Sequence, residues 1–166
     1  VSDEILGLAY EDVGNELWIA TPAGLSRFNR TTAEFEVPIT SAGGRLPTDR
    51  VADVAAGNGY VFAATVEGVG VRTPDNLWYT IQRNAYIPTD PNADPNECFN
   101  DPQNNPVCQR SLPAETGSND ARSLTYDGQN LWVVLGVGGD NTRGSILRRP
   151  PNPLSPDVGQ FWSIDQ

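Results

Sequence analysis

Apolar and polar positions alternate along this chain in short runs, each closed by a cluster of turn formers. The first four runs are ILGLAYE (5–11), ELWIAT (16–21), GLSRFN (24–29) and EFEVPI (34–39), separated by Gly, Asn, Pro and Thr. Runs of this length, alternating and rich in β-branched and aromatic residues, predict strands rather than helices. No segment holds a helical period long enough to compete.

The pattern recurs. RVADVAAG (50–57), YVFAAT (60–65), GVGVRT (68–73) and LWYTIQ (77–82) form a second set, and ARSLTYD (121–127), NLWVVLG (130–136), SILRRP (145–150) and FWSID (161–165) a third. Phe62 follows Trp18 by 44 positions and Trp132 follows Phe62 by 70. The larger offset is a period of about 44 stretched by an insertion between Ala85 and Asn119. Four strands per unit at that period is the signature of a propeller blade. The expectation is a single all-β domain over 1–166, a β-propeller type with three four-stranded antiparallel blades. The blades would span about 5–40, 50–83 and 121–165, with a disulfide-clamped loop insertion at about 84–120. The second run of each copy is the most apolar and is expected to be covered on both faces. Gly24 and Gly68 occupy the same place in their copies, where a tight turn calls for positive φ. The third copy replaces that turn with the longer GVGGDNTRG (136–144).

These residues resemble the two-component-regulator propeller repeat. Asp12, Gly14, Leu17, Trp18, Thr21, Gly24 and Leu25 carry the likeness in the first copy, with Ala20 where that repeat has Gly. Thr65, Gly68 and Val69 fit in the second, with Phe62 for Trp, and Asp127, Gly128, Leu131 and Trp132 in the third. The resemblance implies blades of a periplasmic sensor or of a secreted propeller, with ligands held near a central channel. No kinase, membrane-spanning or DNA-binding segment accompanies the repeats, so a signalling role does not carry over.

Three blades are too few to close, since rings take typically four to eight. Either the chain is part of a longer protein, or other copies complete it as a closed assembly or an open filament. The expected partners are therefore copies of itself.

Composition narrows the rest. The 21 acidic residues face 11 basic ones, for a formal net charge of −10; every basic residue is Arg, and Lys, His and Met are absent. Such a surface repels phosphate backbones, which excludes nucleic acid as a partner. The lack of His removes the commonest general base and metal ligand. The longest apolar stretch, LWVVLGV, has seven residues, far short of the roughly 20 needed to span a bilayer. Asp3 and Glu4, with no apolar stretch behind them, do not read as a signal peptide; an exported protein would have lost its signal.

The insertion holds the remaining candidates. Cys98 and Cys108 lie in a Pro/Asn/Asp-rich segment without a CxxC motif. A disulfide clamping the loop is the expected reading and points to an extracellular, cell-surface or periplasmic location. Two free cysteines in a reducing compartment are the other reading. Asp90, Asn92 and Asp94 alternate as in calcium loops, and Asp101 falls at position twelve. Pro95 replaces the Gly such loops require, so a plain turn cluster competes with Ca²⁺ as the only cofactor in view. Asn29-Arg30-Thr31 is a glycosylation sequon. The proline-rich RRPPNPLSPDVGQ (148–160) reads as an extended outer connection.

Trp18, Trp78, Trp132 and Trp162 suggest sugar stacking, but each sits inside a strand run, where core packing is the simpler role. No nucleophile elbow, phosphate loop or metal triad is present, so no enzyme is expected. The leading expectation is an exported structural module that self-assembles into a surface or extracellular assembly such as a fibre. The alternative is a propeller sensor domain binding a glycan or small molecule.

Overall fold

The computed structural model describes residues 2–82, 86–88, 108–110, 118–136, 144–155 and 157–163, with the backbone alone at 86–88, 108–110, 161 and 163. Sheet I is an antiparallel meander of β1 (Gly7–Glu11), β2 (Glu16–Thr21), β3 (Gly24–Asn29) and β4 (Glu34–Phe35). Sheet II repeats it with β5 (Val51–Gly57), β6 (Tyr60–Thr65), β7 (Gly68–Arg72) and β8 (Trp78–Ile81). A two-stranded ladder follows, β9 (Tyr86–Pro88) with β10 (Cys108–Arg110). Sheet III is β11 (Ala121–Tyr126), β12 (Leu131–Leu135), β13 (Ser145–Arg149) and β14 (Gln160–Ser163).

The central hairpins of sheets I and II share one turn chemistry. Thr21 Oγ1 donates to the Gly24 carbonyl at 2.8 Å and accepts from Ala23 N at 3.2 Å. Thr65 does the same with Gly68 O (2.8 Å) and Glu67 N (3.3 Å). Gly24 and Gly68 adopt φ of +126° and +135°, a region L side chains avoid. The run expected over 34–39 forms a strand only at Glu34–Phe35. Pro38 has no N–H for a ladder, and pairing resumes where Leu25 and Ile39 exchange two 2.9 Å hydrogen bonds.

The sheets stack front to back. The face of sheet I bearing Trp18, Ala20 and Leu25 packs on the face of sheet II bearing Val51, Val54, Val61 and Ala63. The opposite face of sheet II, with Phe62, Ala64, Val69 and Val71, packs on Leu124, Leu131, Val133 and Leu147 of sheet III. Carboxylates stitch both seams. Buried Glu11 accepts from Val13 N and Gly14 N in its own turn and from Gly59 N of sheet II at 3.0 Å. Asp53 of sheet II accepts from Ser123 Oγ (2.8 Å) and Leu124 N (3.0 Å) of sheet III.

This arrangement corrects the β-propeller expectation: the sheets are separate and none closes into a ring. Burial along the strands gives the physical reason. Five consecutive residues of β6, Val61 to Thr65, are buried, because sheet II is covered on both faces. In β2 and β12 buried positions alternate with partly or fully exposed ones, because sheets I and III are covered on one face each. Two seams hold three sheets, and no third core joins sheet III to sheet I among the described residues.

The disulfide-clamped loop is corrected as well. No disulfide occurs among the described residues. Cys98 lies outside them, and Cys108 contributes its backbone to β10. Main-chain pairing closes the insertion instead: Cys108 opposes Pro88, Gln109 opposes Ile87 and Arg110 opposes Tyr86.

Candidate functional site

The charged and aromatic residues of the first seam converge at one cleft. Trp18 on β2 lies opposite Arg27 on β3, because the two-residue turn at Pro22-Ala23 sets that register. The Arg27 guanidinium stands 5.5 Å from the centre of the Trp18 ring. Arg72, at the end of β7, reaches across from sheet II to the same 5.5 Å. Cation–π attraction is strongest where the cation loses water, as over a fully buried indole. Trp78 on β8 meets Trp18 edge to face at 6.4 Å.

Glu16 holds the two arginines together. Its Oε1 accepts from Arg27 at 2.9 Å and its Oε2 lies 3.6 Å from Arg72. Arg27 also pairs with Glu36, and Arg72 Nε donates to Asn76 Oδ1 at 2.9 Å. Arg45, from the connection between sheets I and II, is exposed at the mouth with no ion pair among the described residues. These groups, Glu16 excepted, line a cleft of about 310 Å³, completed by Val37 and Ile39.

Two features set the residues of this cleft apart. Three arginines line it with one glutamate, Glu36, and even with Glu16 bonded to two of them it is locally cationic on a strongly acidic protein. The Trp18 Nε1–H is buried without a hydrogen-bond acceptor. The repeat-equivalent Trp132 shows why: its Nε1 donates to Asp127 at 2.8 Å, and Asp127 lies five residues before it. Five residues before Trp18 stands Val13, which cannot accept. Burying an unpaired donor costs about 1–3 kcal/mol.

The sequence candidates are distributed elsewhere. Asp90, Asn92, Asp94 and Asp101 lie outside the described residues. No group of three metal-ligating side chains occurs among the described residues. Asn29 ends β3 and its Oδ1 accepts from Thr31 N and Thr32 N, fixing the turn to β4. Trp132 and Trp162 stack at 6.2 Å on the outer face of sheet III, and Arg148 stands 5.9 Å over Trp132. Trp78 is thus the tryptophan that is both partly open and placed beside arginines of a cleft.

Reading strands one at a time missed Arg27, Arg72, Arg45 and Glu16. The Arg27–Trp18 pair was within reach, since a two-residue turn after Thr21 places position 27 opposite 18. Arg72 reaches Trp18, and Arg45 shares its cleft, only through the packing of sheet II on sheet I, which no spacing encodes.

No protein-family model matches the chain, and no curated protein matches it significantly. The resemblance to the two-component-regulator propeller repeat is corrected accordingly: the repeat residues form hairpins, not a closed ring. Among solved structures, two of the extracellular domain of BT4673 from B. thetaiotaomicron are similar in fold. One is named as a candidate one component system (TM-score 0.55, 13% identity) and the other as a candidate hybrid two component system (TM-score 0.56, 14% identity). Each likeness covers 96% of this chain but only 17% and 16% of those chains.

Proposed function

We propose that this chain is a non-catalytic, extracellular ligand-binding domain whose cleft between sheets I and II takes a small carboxylate-bearing molecule, an acidic sugar above all. The observation that carries this reading is the exposed Arg45, which has no ion pair among the described residues and lines the cleft together with Arg27, Arg72 and Trp78. An arginine fork matches a carboxylate, an indole face matches the C–H face of a sugar ring, and Asn76 adds hydrogen-bonding capacity. The fold likeness to extracellular domains of one and two component systems supports the location and a sensor-type role.

The test is a calorimetric titration of the chain with glucuronate and galacturonate, and with glucose and galactose as neutral controls. Binding of the acids with Arg45→Ala weakening it at least tenfold is expected, since a charge-assisted hydrogen bond contributes about 1.5–3 kcal/mol. Arg122→Ala, on sheet III and paired with Asp120, should leave affinity unchanged. No heat from any acid, or equal binding of the neutral sugars, would reject the anion reading.

A further inference from the structure

Each sheet carries two different faces, and the stack uses them in a fixed order. The front of a sheet, bearing Trp18 in sheet I and Phe62 in sheet II, meets the back of the next sheet. Among the described residues two faces are left over. The back of sheet I presents Leu8, Tyr10, Ile19 and Phe35, of which Leu8 and Phe35 are 58% and 69% exposed. Beside Leu8 and Tyr10, Ile19 and Phe35 join Ile5 and Pro38 in lining a hollow of about 470 Å³. The front of sheet III presents Trp132, Val134, Ile146, Arg148 and Trp162, with Val134 and Trp162 at 40% and 45% exposure.

The leftover front is built like the buried front of sheet I. Arg148 opposes Trp132 across β12–β13 as Arg27 opposes Trp18 across β2–β3, and each guanidinium stands over its indole. In sheet I that surface is covered by the back of sheet II. The leftover back is the counterpart of that covering surface. Charge agrees: Arg148 lies on the open front, and Asp3 lines the hollow on the open back. Large exposed apolar patches mark interaction surfaces, and both end sheets carry one among the described residues.

We infer that the front of sheet III binds the back of sheet I of a second copy, head to tail, repeating between molecules the seam made twice within each. The contact is heterologous, so every added copy presents the same two faces again. Glu36 borders both the hollow and the Trp18 cleft, but Leu8, Tyr10 and Phe35 of the proposed contact line no part of that cleft.

Light scattering of the 166-residue chain across a concentration series tests the inference. The wild-type mass should rise with concentration above 17.9 kDa. Leu8→Glu blocks the back and Val134→Glu blocks the front; both residues are exposed, and circular dichroism confirms that each variant folds. Each variant alone should abolish the growth and stay at one copy. Mixed in equal amounts they should form a one-to-one dimer and nothing larger, because one open front and one open back remain. A wild type that stays monomeric into the millimolar range overturns the proposal. So does a mixture that stays monomeric, or self-association of Val134→Glu alone, which would mean back-to-back pairing.

Discussion

Asp127 closes the turn between β11 and β12, and its carboxylate is held by donors on three sides. Trp132 Nε1 and the amides of Asn130 and Gln129 bond it at 2.8, 2.6 and 2.8 Å. Together, led by the indole, they lower its pKa to about 2. A carboxylate with a depressed folded pKa stabilises the fold above its unfolded value near 3.9, and that stabilisation fades as pH falls through about 2. Carboxyl titration by NMR should give a midpoint near 2, with the Trp132 indole resonance moving in step. A midpoint near 4 would mean that the ring of donors does not hold in solution. At the first-repeat equivalent Val13 cannot play this part, and one substitution there separates a satisfied indole from an unpaired one.

At the scale of elements, the repeated hairpin is decided by its glycines. A Cβ on Gly24 would stand 2.6 Å from the Ile39 carbonyl oxygen, and one on Gly68 would collide with the Ile81 carbonyl oxygen. Positive φ and close backbone approach act together, so Gly24→Ala should cost more than about 1 kcal/mol in urea denaturation. Gly68→Ala should cost at least as much. An unchanged midpoint in either would contradict the close approach. This turn was legible in the sequence, because its requirement is local: Thr, two turn residues and Gly recur at the same spacing. The hydrogen bonds of Thr21 and Thr65 were not read from it, though the same spacing carries them.

At the scale of the molecule, the seams rest on side chains whose partners lie far away in sequence. Glu11 is buried and caps its own turn while accepting the Gly59 amide of sheet II. Glu11→Ala leaves buried donors unpaired and should lower stability by about 1–3 kcal/mol. Hydrogen exchange should report where: Gly59 loses protection, while β12 and β13 of sheet III keep theirs. Uniform loss across all three sheets would mean that the first seam is not separable from the second. The open stack also accounts for the placement of the candidate site. A cleft forms at the edge of the first seam because Arg27 and Arg72, held by Glu16, Glu36 and Asn76, remain beside the indole they cover.

Strand positions, the hairpin turns and the threefold recurrence follow from alternation and turn chemistry, which act over a few neighbouring residues and are written in order along the chain. The Arg27–Trp18 pairing belongs with them, since turn length sets register. Closure does not. The same alternating strand serves a ring or an open stack, and burial on one face or both is known only once the neighbouring sheets are in place. The candidate cleft is a property of that packing too. Arg45 and Arg72 are 27 and 54 positions from Trp18, and it is the docking of sheet II on sheet I that brings their charge to one cleft.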